Sequence, residues 1–315
     1  MLREFIASLR NLFRLSRSQE KQLLLGGAQL SYRNRGLGKI DSLADAEFRV
    51  FSQWGEDGII DWLVSLLPDI PQTFIEFGVE DYRESNTRFL LQHKYWRGLV
   101  LDSGNKNIRT IKESELYWRH DLTAVEAFIT KDNINTLITS NGFSGEVGIL
   151  SIDLDGNDYW IFDAINCVNP AVIVCEINGV FGDKHAITIP YREDFSRLGA
   201  HSSGQYFGAS LNAMRSLAES KGYTFIGTTK SGVNAFFIRN DLSSAITPAI
   251  NAILAYPNQH RDSRDSSGKL NHLAGELRAQ QISSLNVYSL EEDKELPLGS
   301  LGGLYSANWQ AGRPS

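Results

Sequence analysis

The stretch "TFIEFGVEDYRESNTRFLL", residues 73–91, decides the reading of the chain. Its first five residues are apolar enough for a buried strand, and "ESNTRFLLQHKY" carries the spacing of an amphipathic helix. Glu76 and Gly78 stand at the joint. In an open α/β sheet that corner binds ligands, because strand ends and helix N-termini converge there.

Working outward, short apolar runs recur: "RGLVLDS", "LYWRHDLT", "VGILSIDLD" and "AVIVCEI", separated by "NKNIRTIKES", "AVEAFITKDNINTLITSNG" and "YWIFDAINC" with helical length and period. Strands separated by helices imply right-handed crossovers and a parallel sheet. The near-continuous apolar character of the strands fits burial on both faces. After "GASLNAMRSLAESKGY", the runs "TFIGTT" and "AFFIRN" are joined by so short a link that they form an antiparallel hairpin. The fold expected is a doubly wound, mostly parallel, seven-stranded Rossmann-like α/β sheet closed by that hairpin.

Three regions follow: an N-terminal amphipathic helix and linker over 1–48, the α/β domain over 49–240, and a helical C-terminal extension over 241–315 with a Gly-, Ser- and Pro-rich, partly disordered tail. In "MLREFIASLRNLFRLSR", Leu2, Phe5, Ile6, Leu9, Leu12 and Phe13 share a helical face, with arginines on the others. Such a helix docks on its own domain or a second subunit, or lies on an anionic membrane surface. "LGGAQLSYRNRGLGK" reads as a linker.

Composition narrows the function. The 315 residues carry a net charge of -6, which argues against a nucleic-acid partner. Two cysteines, Cys167 and Cys175, lie in apolar surroundings, as expected for free thiols in a reducing compartment. No signal peptide or spanning segment is evident, so a cytoplasmic location is expected, with peripheral contact at the inner face of the membrane through the first helix. No G-x-S-x-G elbow and no zinc spacing among the histidines appear.

Carboxylates stand after successive strands: Glu76, Asp102, Asp121, then Asp153 and Asp155, then Glu176. A nucleoside ligand explains them. An acid after the second strand accepts from ribose hydroxyls, which gives Asp102 its role. Asp121 accepts from an adenine amino group, Gly78 admits close backbone approach, and Glu76 faces a cationic amino-acid portion, with Ser85, Asn86 and Asp153 completing the cofactor set. These are the parts needed for S-adenosylmethionine. A dinucleotide would need a G-x-G-x-x-G loop, and Glu80 and Asp81 would repel its phosphates. In "SIDLDGNDYWIFDAI" and "CEINGVFGDKHAITIP", two uses fit Asp153, Asp155, Glu176 and Asn178. Asp155, Glu176 and Asn178 could hold a hard cation such as magnesium, or the acids could work without metal as general base and acceptor-binding groups. His201 is the one histidine considered as a base. "FSQWGEDGII" reads as a lid over the site, with Ser52 or Asp57 capping a helix.

With "FSQWGEDGII", "FIEFGVEDYRESNTRFLL", "GLVLDSGNKNI", "LSIDLDGNDYWIFDAI", "VIVCEINGVFG", "HSSGQYFGASL" and "KGYTFIGTTKSGVNAFFIR" on the page, the chain resembles the FkbM-like branch of class I S-adenosylmethionine-dependent methyltransferases. The resemblance implies methyl transfer to a sugar hydroxyl, on a nucleotide sugar or growing glycan, in surface-polysaccharide biosynthesis. It also implies Glu76 and Gly78 as first cofactor motif, Asp102 as ribose acid, and Asp153 with Asp155 as the acidic motif after the fourth strand. The later glycines of that first motif are replaced here by Glu80, Asp81 and Tyr82. The rival reading is a catalytically silent scaffold of a glycan-assembly complex.

Overall fold

Five strands run parallel: β1 (Thr73–Phe77), β2 (Arg97–Asp102), β3 (Leu122–Glu126), β4 (Gly145–Ile152) and β5 (Val168–Glu176). A two-residue strand, β6 (Ile187–Thr188), belongs to another sheet, and β7 (Tyr223–Thr228) with β8 (Asn234–Arg239) form the hairpin. The order is β3-β2-β1-β4-β5-β8-β7, with β8 antiparallel to β5. This is the sheet of the class I methyltransferases, as the sequence led us to expect. Strand order reverses between β1 and β4, so the crevice lies above their carboxyl ends. The computed structural model describes residues 2–315, with side chains from residue 18 onward.

Alternation along each strand feeds two core layers. Ile75, Phe77, Leu99, Leu101, Leu150, Ile152 and Ile173 pack into one, while Phe74, Val100, Ile149, Val172 and Val174 pack into the other. Both cysteines are free, Cys175 buried and Cys167 half-buried.

The ends of the chain differ from expectation. The first helix runs unbroken over Leu2–Arg35, so Gly26 and Gly27 of the expected linker lie inside it, and only Gly36 and Gly38 follow its end. Gly27 is there for packing: a Cβ would come within 2.6 Å of Val50 and 2.7 Å of Phe89. Close by, Ser31 Oγ donates to Asp61 Oδ1 at 3.0 Å and Asn34 Nδ2 to the Ala46 carbonyl at 2.8 Å. From Glu20 onward this helix docks on its own domain, as the Glu20–Arg88 ion pair at 2.6 Å also shows. The apolar stripe from Leu2 to Phe13, on which membrane or subunit contact was argued, lies outside the described side chains. Among the described residues no helix is long and apolar enough to cross a membrane.

The C-terminal extension is only sparsely helical. Helix occurs over Ser243–Ile246, Glu276–Gln281 and Ala307–Gln310. Residues 250–256, expected to be helical, run extended beside β7, where Thr228 N donates to the Leu254 carbonyl at 3.1 Å and Tyr256 N to Thr228 Oγ1 at 2.9 Å. Strands β9 (Asn286–Ser289) and β10 (Lys294–Pro297) form a hairpin on β6. The tail is packed rather than disordered: Tyr305 donates its hydroxyl hydrogen to the Val180 carbonyl at 2.7 Å, and Ser315 exchanges backbone hydrogen bonds with Ala255 at 3.0 Å.

Candidate functional site

At the end of β1 the chain passes so close to β4 that a Cβ on Gly78 would lie 1.7 Å from the Asp153 carbonyl oxygen. Gly78 also has φ +71°, where only glycine is unstrained. The turn that follows aims Glu80 N at Asp102 Oδ2 (2.8 Å), while Gly104 N and Asn107 Nδ2 donate to Oδ1 at 2.7 and 3.1 Å. Three donors therefore fix the Asp102 carboxylate, and of its roughly four lone-pair directions about one remains for a ligand hydroxyl. Asp102 borders a cavity of about 170 Å³ between the ends of β1, β2 and β4, walled by Ser103, Phe128, Ile129 and Phe195. An apolar wall facing a carboxylate matches an adenosine, so the residues present fit the nucleoside half of S-adenosylmethionine.

Asp153, also assigned to the cofactor, borders the same cavity, whereas Glu76, Ser85, Asn86 and Asp121 lie elsewhere. Glu76 turns away from this cavity: its oxygens accept from Asn86 N (2.7 Å), Thr87 N (3.1 Å) and Thr87 Oγ1, holding the start of helix Arg88–Lys94. Burial pushes its carboxyl up to about 7. Asn86 donates to Ser151 Oγ at 3.1 Å and Ser85 Oγ accepts from Arg88 N at 3.2 Å, so both are buried parts of the same loop. Asp121 requires a correction. It precedes β3 instead of following it, because "ELYWR" forms a helical turn and the strand starts at Leu122. Its exposed carboxylate sits 4.0 Å from Arg97 Nε, at the amino edge of the sheet, opposite the crevice.

At the crevice, register does what the sequence suggested. Ile152 pairs with Cys175, so Asp153 and Glu176 leave β4 and β5 side by side. Asp155, at φ +52°, turns back toward them, and one oxygen from each of the three lies within 4.8 Å of the others. Burial first, then Asp155 and Asp158, hold the Asp153 carboxyl well above the ordinary carboxylate range. Burial first, then Asp153, Asp155 and Asp158, do the same for Glu176. Two acids this close share a proton in preference to ionising together. Asp158, buried and raised to about 6 mainly by burial, shapes the loop by accepting from Leu154 N (2.7 Å) and Gly156 N (3.0 Å).

The charge beside this pair is Arg197, whose Nη1 lies 2.5 Å from Asp155 Oδ1 and 3.9 Å from Glu176 Oε1. Its guanidinium lies 3.6 Å over the Phe207 ring, and Nε donates to the Gly204 carbonyl at 2.7 Å. Arg197 fills the place assigned to a cation. Asn178 is likewise committed: Nδ2 donates to the Gln205 and Phe207 carbonyls, each at 2.9 Å, and Oδ1 accepts from Val180 N at 2.9 Å. The set of Asp155, Glu176 and Asn178 does not fit magnesium, with the Asn178 amide hydrogen-bonded at both ends and Asp155 already paired with Arg197. His201 also stands apart, its Nδ1 bonded within its own turn to Ser203 Oγ (2.8 Å).

Beyond Glu176 opens a second cavity of about 140 Å³, bordered by Gln53, Trp54, Arg197, His260 and Arg278. Trp54 stacks on His260 at 4.2 Å and 28°. The stretch expected to form a lid thus walls this cavity and not the one at Asp102, while the Asp57 carboxylate accepts from Val50, Phe51 and Ser52 N and Asp57 N donates to Ser52 Oγ at 3.0 Å. An open groove of about 620 Å³ joins the two cavities, sharing Asp155 with one and Arg197 with the other. Sequence reading missed Arg197, His260 and Arg278. No strand-end signal marks them, since each comes from a loop or short helix folded across the sheet edge.

No known family profile matches the sequence, and no curated protein does. Among solved structures, a S-adenosylmethionine-dependent methyltransferase from Clostridium acetobutylicum ATCC 824 aligns over 59% of this chain and 92% of its own, at 9% identity and a TM-score of 0.38. The N-terminal domain of EvdMO1, solved with SAH bound, aligns over 67% and 94%, at 10% identity and 0.38. An O-methyltransferase family protein from Burkholderia thailandensis aligns over 59% of each chain, at 11% identity and 0.36. These likenesses are distant, and the fold assignment rests on the chain's own strand order and reversed hairpin: the chain carries the class I S-adenosylmethionine-dependent methyltransferase fold.

Proposed function

We propose that the protein is an S-adenosylmethionine-dependent O-methyltransferase of FkbM-like type, acting on a sugar hydroxyl in surface-glycan biosynthesis. The observation that carries this is the Asp153–Glu176 pair, Glu176 buried and Asp153 half-buried, standing between a cavity at Asp102 and an aromatic-walled cavity at Trp54 and His260. S-adenosylmethionine, when bound, supplies a methyl group on a sulfonium, open to in-line attack by a hydroxyl. Asp102 accepts from ribose, and Gly78 leaves room for backbone to meet the ligand. The stacked Trp54–His260 pair offers a flat apolar face to a sugar ring. Glu176, or Asp153 through the shared proton, receives the hydroxyl proton as the new C–O bond forms. Arg197 holds the ionised member in place and limits its basicity.

Calorimetric titration with S-adenosylhomocysteine, with NAD as control, tests the cofactor half. Binding of the first and not the second is expected, and Asp102→Ala should weaken it at least about tenfold through loss of a charged hydrogen bond. Methyl transfer from labelled donor to candidate glycans tests the second half, and Asp155→Ala should abolish transfer while leaving the fold intact. Absence of S-adenosylhomocysteine binding would sink the proposal.

A further inference from the structure

Resting on that reading, we infer that the cavity beyond Glu176 takes an acceptor bearing an anionic group, a carboxylate or a phosphate, with Arg278 as its counter-charge. Arg278 is 2% exposed, and its side chain forms part of the cavity wall. Nη1 and Nη2 donate to Asn258, to Oδ1 at 3.2 Å and to the carbonyl at 2.6 Å. Both acceptors are neutral. Nε is buried with no acceptor among the described residues. The nearby acid, Asp262, lies 4.0 Å from Arg197, and no described carboxylate forms an ion pair with Arg278. A guanidinium taken out of water without a counter-ion is strongly unfavourable, and a fold keeps one where a ligand supplies the missing charge. The planar fork suits carboxylate or phosphate oxygens, and its two hydrogen bonds both go to the neutral Asn258.

The surroundings agree on the rest of the ligand. Trp54 and His260 stack in the cavity wall, suited to a ring, and Gln53 and Gln205 add amide groups suited to hydroxyls. Arg278 also borders a further cavity of about 650 Å³ with Tyr305 and Trp309. One ligand thus reaches from Glu176, where its hydroxyl reacts, to Arg278, where its charge is held.

The test uses the full chain saturated with S-adenosylhomocysteine, titrated with glucose, glucuronate and glucose 1-phosphate. At least one charged sugar should bind ten or more times tighter than glucose, with affinity falling as salt rises. Comparing glucuronate with glucose 1-phosphate separates a carboxylate from a phosphate. Arg278→Met should remove the preference while S-adenosylhomocysteine binding is kept. Because Arg278 is buried, Asp262→Asn provides a second arm: taking a negative charge from the cavity wall should tighten the charged sugar at least twofold and leave glucose unchanged. Equal binding of all three sugars, binding of none, or a preference that survives Arg278→Met would overturn the inference alone, since the nucleoside cavity is read separately. Failure of S-adenosylhomocysteine to bind would instead remove the methyltransferase reading beneath it.

Discussion

Glu176 Oε2 is buried and has no hydrogen-bond donor among the described residues, though Arg197 stands 3.9 Å from its other oxygen. A carboxylate so placed has accepting capacity left over, and its residue borders the cavity. Glu176→Gln should therefore lower kcat by about 10²–10⁴, the usual worth of a general base, while S-adenosylhomocysteine affinity stays within about twofold. The same residues set the pH profile. With both carboxyls raised, log(kcat/KM) should climb with pH above the ordinary carboxylate range as the shared proton leaves. Arg197→Met removes the neighbouring cation that favours ionisation and should move that limb to higher pH. A limb that stayed in place would show that a different group titrates.

Between β1 and the helix after it, Gly78 and Glu76 have separate duties. Gly78→Ala must displace the Asp153 carbonyl and hold a left-handed φ, so a loss of roughly 2–4 kcal/mol is expected in denaturant melts, with cofactor binding lost at the same time. Glu76 sets a pH dependence of stability. Its folded carboxyl is raised to about 7, above its ordinary 4.5, so between those values the folded chain binds more protons than the unfolded one. Stability from this group then falls as pH rises from about 4.5 to about 7. Glu76→Gln should flatten that part of the curve relative to wild type, and because an amide cannot accept from all three donors it should also cost about 1–3 kcal/mol. These elements also show what could be read from the chain. β1, β2, β4 and β5 are apolar runs whose burial on both faces leaves one solution, and the acids at their carboxyl ends followed directly, Asp153 and Glu176 above all. β3 was misplaced because "LYWRHDLT" mixes helical and strand residues, and the register of Asp121 went with it. Glu76 was assigned to the ligand since sequence gives its position on the strand but not the face it serves; its partners Asn86 and Thr87 exist only once the loop folds back. Arg197, His260 and Arg278 depend on contacts between distant segments, for which no local period exists.

At the scale of the whole molecule, the two cavities have different origins. The cavity at Asp102 is built entirely from residues between Gly78 and Phe195, whereas the cavity beyond Glu176 brings Trp54 together with His260 and Arg278. Removing residues 284–315 takes away β9, β10, Tyr305 and Trp309, and should lower the melting temperature and abolish sugar binding before it abolishes S-adenosylhomocysteine binding. Retention of sugar binding by that shortened chain would contradict this division. The Trp54–His260 stack carries the same asymmetry into the time of synthesis. A ribosome adding roughly 5–20 residues per second brings the end of β8 out of the exit tunnel about 2–8 seconds before Arg278, which lies 39 residues further along. In that interval the nascent sheet can hold its nucleoside cavity while Trp54 still lacks its partner and the acid pair has no wall toward the acceptor. On the proposed function, the youngest protein molecules would therefore be competent to load a methyl donor before they can select what to methylate.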